Sequence, residues 1–203
     1  MKKIMLLLVA VALFLPGAAF ADNTEEISFS GGTLTGDTNG FTLTGATIQS
    51  EASFWLGYIT GPNLGDVTFT TNSLDADPSW NANIAPGGTV TLTGNGSDPT
   101  LAGVLFQGTF INGATWVQSV DPNNNNDIFY TLTGIVDGAT GDGSLANGTF
   151  TLTLDTGSAD FTGNSAGGVS GYAALAVPEP GSLSLMGTGL LGLLGAIRRK
   201  MKA

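Results

Sequence analysis

The residues available for chemistry are few. The chain has no histidine and no cysteine, and its six basic residues are Lys2, Lys3, Arg198, Arg199, Lys200 and Lys202. Between Ile4 and Ile197 the charged side chains are all carboxylates. This excludes Ser-His-Asp and Cys-His catalysis, zinc sites of the usual ligands, Schiff bases and guanidinium clamps. What remains is a carboxylate pair of the kind that hydrolyses glycosides. Glu51 is the candidate singled out, because it stands beside the aromatic-rich Phe54-Trp55-Leu56-Gly57-Tyr58. Any acidic surface offers such pairs, so the expectation is that the protein is not an enzyme.

Two other groups of residues suit binding. Asp121-Pro122-Asn123-Asn124-Asn125-Asn126-Asp127 is the most polar run. Asp121, Asn123 and Asn125 match the first three ligand positions of an EF-hand loop, but Asn126 stands where glycine is needed and Leu132 where a bidentate Glu is needed. The EF-hand reading fails. A looser structural calcium site stays open, built from Asp121, Asn123, Asn125 and Asp127 or from Asp75 and Asp77, against the plainer reading of a solvated loop tip. Otherwise no cofactor is expected. Of Trp55, Trp80 and Trp116, most should be core. Trp80, in a loop-like stretch after Pro78, is the one least explained by packing, and Trp55 and Trp80 are the candidate carbohydrate contacts.

The elements that position these residues read as strands. Phe41-Thr42-Leu43-Thr44-Gly45, Val90-Thr91-Leu92-Thr93-Gly94 and Tyr130-Thr131-Leu132-Thr133-Gly134 are one phrase, with Thr33–Gly36 and Phe150–Leu154 as variants. Apolar residues alternate with threonine, the period of a strand with one buried face and an outer face that suits β-branched residues. Asn39-Gly40, Asn95-Gly96, Asn112-Gly113, Asp137-Gly138, Asp142-Gly143 and Asn147-Gly148 are expected turns. The expectation is an all-β domain, an antiparallel β-sandwich or jelly roll. The phrases start at 41, 90, 130 and 150, which is not the fixed period of a solenoid or propeller. Their Thr-x-Thr pairs suggest ice-binding arrays, but strand patterning explains them.

All 16 acidic residues lie between Asp22 and Glu179. With no base among them, that stretch carries a formal charge of −16, not the −10 of the whole chain. It repels nucleic acid, which is bound through Lys and Arg, and it attracts divalent cations. The lack of cysteine excludes a disulfide framework.

The two ends carry addresses. Lys2-Lys3, an apolar run from Ile4 to Leu15, the breaker Pro16-Gly17 and Ala19-Phe20-Ala21 have the layout of a secretory signal peptide over 1–21, with Ala19 and Ala21 at the signal peptidase site and the mature chain starting at Asp22. At the other end, Pro178-Glu179-Pro180 is followed by uncharged residues from Ser182 to Ile197 and a basic end over 198–202, in which Arg198, Arg199 and Lys200 act as the membrane stop. The prolines hold 177–180 extended. The 16-residue run gives about 24 Å of helix, marginal for a bilayer core of about 30 Å. The basic end stays in the cytoplasm by the positive-inside rule.

Over 177–203 this arrangement resembles the PEP-CTERM sorting signal of Gram-negative bacteria. In that family Pro-Glu-Pro is the recognition site of an exosortase, and the members are surface or secreted proteins of bacteria that make extracellular polysaccharide. The resemblance implies that Pro178, Glu179 and Pro180 are the sorting motif. It implies an exosortase, signal peptidase and the membrane as partners, the last through one transient C-terminal transmembrane helix. It places the protein first at the inner membrane, then at the cell surface or in the medium. It does not reach residues 22–176, the acidic domain, which is expected to be a structural or adhesive component of the polysaccharide matrix. The alternative is a carbohydrate-binding or carbohydrate-cleaving module. No nucleic acid partner is expected.

Overall fold

The computed structural model describes residues 24–53, 57–166 and 168–176. The signal peptide, Trp55 and the whole sorting tail therefore lie outside the described residues. Within them the chain forms eleven strands: β1 (Thr24–Ser30), β2 (Thr33–Asp37), β3 (Gly40–Ser53), β4 (Gly57–Thr70), β5 (Ala82–Ile84), β6 (Gly87–Asn95), β7 (Ala102–Asp121), β8 (Asp127–Thr140), β9 (Leu145–Asp155), β10 (Asn164–Ala166) and β11 (Val169–Ala176).

The all-β expectation holds, but the sandwich or jelly roll is corrected to a closed barrel. β3, β4, β6, β7, β8, β9 and β11 each pair antiparallel with the next, and β1 pairs with both β11 and β3. The ring thus closes on itself with eight strands, and its long edges disappear. β2 and β10 extend the sheet beside the start of β3, and β5 takes over from β6 beside the later half of β7.

The threonine phrases build the wall. Phe41, Leu43, Val90, Leu92, Tyr130 and Leu132 point inward and are buried. The intervening threonines align across strands, Thr115 with Thr133, Thr133 with Thr151, Thr131 with Thr153 and Thr68 with Thr91. Phrases scattered along the sequence thus fall into register on the curved outer wall.

An eight-stranded barrel is just wide enough for side chains to fill, and aromatic rings fill this one. Phe150 stacks on Phe29 at 5.3 Å and meets Phe69 and Phe110 edge-on. A second cluster holds Phe41, Trp116, Tyr130 and Phe161, with Trp116 stacked on Tyr130 at 5.1 Å. Glycine makes the room: a Cβ on Gly134 would stand 2.5 Å from the Phe110 ring.

Three expected turns are turns: Asn39-Gly40, Asn95-Gly96 and Asp142-Gly143 connect strands. The other three lie inside strands. Asn112-Gly113 is a bulge in β7, where pairing with β8 slips between Phe110 and Ala114 and Gly113 takes φ 76°. Asp137-Gly138 and Asn147-Gly148 run through β8 and β9, paired with each other.

The barrel has two distinct ends. At the terminal end β1 begins, β11 finishes, and the β6–β7 and β8–β9 turns lie. At the far end are the β2–β3 hairpin, the segment from β4 to β6, and the β7–β8 turn.

Candidate functional site

At the far end, residues 77–81 form a fastened loop. The Asp77 carboxylate accepts from the Ser79 N–H (2.9 Å) and hydroxyl (2.6 Å), and the Trp80 N–H donates to the Asp77 carbonyl (3.0 Å). These Ser79 donors hold Asp77 below the usual carboxylate range. The barrel interior grips the loop from below. The buried Trp116 Nε1–H donates to the Pro78 carbonyl (2.7 Å), and the Tyr130 hydroxyl donates to the Ser79 carbonyl (3.2 Å). The Gln118 N–H donates to Asn81 Oδ1 (2.7 Å). On this loop Trp80 is 67% exposed. Trp116 is core, and it is also what holds that loop in place.

The β7–β8 turn is closed by its own hydrogen bonds. Asp121 Oδ1 accepts from the Asn123 N–H (2.9 Å), and Asn124 Nδ2–H donates to Asp127 Oδ2 (2.7 Å). Asn125 and Asn126 both take the left-handed conformation, which Asn tolerates better than most residues. Asp75, the other calcium candidate with Asp77, accepts from the Asn83 N–H (2.7 Å) and Nδ2–H (2.8 Å). Among the described residues no group of three or more carboxylates is placed to hold a metal ion.

The terminal end holds a feature that the sequence showed only in half. Glu51 is fully buried, and among the described residues neither of its carboxylate oxygens has a hydrogen-bond partner. It lies opposite the buried Ile27 of β1, so it faces the interior. Glu25, two residues before Ile27 on the same face, is half-buried beside it. Burial pushes the Glu25 pKa up to about 7, and the charges of Glu51 and Asp142 add to the rise. Glu25 was legible in retrospect, as a charge on the apolar face of Glu25-x-Ile27-x-Phe29. Because Glu51 has no exposed surface, a glycoside could not reach it without opening of the barrel.

Residues 176–200 match the family model described as the PEP-CTERM protein-sorting motif. The match covers the tail and not the barrel. It includes Pro178, Glu179, Pro180 and Arg198 to Lys200. The chain therefore carries a PEP-CTERM tail, which marks it for exosortase handling, with a membrane-anchored stage and export to the cell surface or beyond. No curated protein matches the chain, and no solved structure does.

Proposed function

We propose that the protein is exported by the general secretory route, forms its eight-stranded barrel outside, is processed by an exosortase at Pro178-Glu179-Pro180, and is deployed as a non-enzymatic structural or adhesive component of the extracellular polysaccharide layer. The observation that carries this reading is the sorting motif over 176–200, which follows directly on a strand of the barrel. β11 ends at Ala176, two residues before Pro178, so little linker separates the folded domain from the motif. The test is replacement of Pro178, Glu179 and Pro180 by alanine in the native host. The altered protein should accumulate in the cell envelope with its tail intact, and unchanged release or surface display would refute the reading.

One observation favours a second reading, a carbohydrate-binding module. It is the exposure of Trp80 on a loop fastened by Trp116, Tyr130 and Gln118. Stacking on the apolar face of a sugar ring would use such a platform. A glycan array separates the two readings: specific binding that Trp80→Ala abolishes supports the module, and the absence of binding to any glycan leaves the structural role. Trp55, the other candidate contact, lies outside the described residues. A calcium role for Asp121, Asn123, Asn125 and Asp127 would require the turn to exchange its internal hydrogen bonds for a cation. Equal melting temperatures in chelator and in millimolar calcium would rule it out.

A further inference from the structure

Glu51 poses a problem that no described residue solves. A buried, ionised carboxylate with no donor costs several kcal/mol unless something neutralises it. No lysine, arginine or histidine exists between Ile4 and Ile197, so no side-chain cation of the domain can do so. The surroundings make the position worse. From β1 comes Glu25, and from the β8–β9 turn comes the charge of Asp142. β4 places Ile59 opposite Glu51, and β11 places the buried Leu175 opposite Glu25. Glu26, the remaining acid on β1, is exposed on the outer face. Among the described residues no donor reaches Glu51, and no third carboxylate completes a metal site.

We propose that Glu25, when protonated, hydrogen-bonds Glu51 across the seam between β1 and β3, and that losing this proton loosens the terminal end of the barrel. A proton on Glu25 supplies the donor that Glu51 lacks, and it removes one of two like charges. The upward shift of Glu25 agrees with the geometry.

The position of the pair gives the proton its leverage. β1 is the strand that closes the ring. Its first residues pair with β11 as Thr24↔Ala176 and Glu25↔Leu175, and with β3 as Glu26↔Ala52 and Ile27↔Glu51. Repulsion between two ionised carboxylates acts directly across that closure. It loosens the last residues of β11, the strand that leads into Pro178. The seam is thus firm in acid and loose in mild alkali, whether or not the tail is processed as proposed above.

Amide exchange of the full-length protein in detergent, corrected for the intrinsic rate, tests this at about pH 5 and about pH 8. Protection of residues 24–27, 50–52 and 173–176 should fall at least about tenfold at the higher pH, while 129–133 at the far end of β8 change little. In Glu51→Gln the fall should be clearly smaller, because the repulsion between two carboxylates is gone while the burial of Glu25 remains. Glu25→Gln, at a partly exposed position, should do the same and carries the test if Glu51→Gln fails to fold. Equal protection of the native protein at both pH values would overturn the proposal, as would an undiminished fall in the Gln variants. Restoration of protection by millimolar calcium at the higher pH, lost in Glu51→Gln, would also overturn it, and would make the occupant a cation.

Discussion

The two ends of the barrel solve the burial of polar groups in opposite ways. At the far end, the Trp116 indole and the Tyr130 hydroxyl sit deep in the core, and each is bonded to a carbonyl of the 77–81 loop. Tyr130 also accepts from Gln118 Nε2–H (3.0 Å) and from the Phe161 N–H (3.2 Å). At the terminal end, Glu51 is equally buried and has no partner. The first arrangement turns buried polarity into rigidity, and the rigid loop displays Trp80. The second leaves a buried, unpartnered carboxyl on β3 against β1, the strand that closes the ring. Satisfied buried networks rigidify, and unsatisfied ones mark where a fold can give way. The difference leaves the far end with a firmly held, exposed Trp80 and the terminal end with an unpartnered carboxyl where the chain enters and leaves the barrel.

The sharpest way to break the far end is Trp116→Ala. It removes a ring stacked on Tyr130 and packed on Phe41 and Phe161, and should cost about 3–5 kcal/mol in urea denaturation. It should also release residues 77–81 to amide exchange, since the Nε1–H to Pro78 bond is lost.

The terminal end should show itself in pH dependence. The Glu25 pKa stands at about 7 in the fold against an ordinary 4.5, so its contribution is fully present below about pH 4.5 and is lost as pH rises through about 7. Unfolding free energy should therefore fall across that window by on the order of 2 kcal/mol, allowing for screening at a half-buried site, and level off above it. Glu51→Gln should reduce this step and leave the part due to the burial of Glu25, which separates it from the general self-repulsion of an acidic domain. The turn carboxylates have the opposite sign. Asp75, Asp77, Asp98 and Asp142 are each held below the ordinary range by side-chain and backbone hydrogen bonds, and what they contribute is lost as pH falls.

Between the ends, Gly134→Ala should cost about 1–3 kcal/mol in urea denaturation, because the added methyl meets the Phe110 ring. Trp80→Ala should change stability by less than about 0.5 kcal/mol, since the ring is exposed. If Trp80→Ala instead destabilises strongly, the ring is structural and the far end is no display site.

The strand pattern made the wall legible and left its closure hidden. Phe41, Leu43, Tyr130 and Leu132 were readable as inward-facing from alternation alone. Alternation is the same in a sandwich and a barrel, so the pairing of β1 with both β11 and β3 had no sequence signal. Bulges hid more. In β3 the inward set runs Phe41, Leu43, then Ala46, Ile48, then Glu51. Pairing with β4 slips between Leu43 and Ala46 and again between Ile48 and Ser50. Each slip reverses which alternate residues face inward. A reader counting by twos from Ile48 would put Glu51 outside. Asn112-Gly113 misled for the same reason, being bulge chemistry that reads as turn chemistry. Trp80 was legible because its neighbours lack any apolar period, but its fastening through Trp116 joins residues 38 positions apart and could not be read. The sorting motif was legible because it is a linear signal and depends on no fold.

The most direct test of the account is the intact mass of the protein recovered from the medium and from the envelope of its native host. Trypsin finds no site between Ile4 and Ile197, so the whole chain must be weighed. The account predicts a form that begins at Asp22 and ends near Pro180, with any extra mass on that form reporting glycosylation or covalent attachment. A form still ending at Ala203, in a host that has an exosortase, would reduce the tail to a plain membrane anchor and contradict the account.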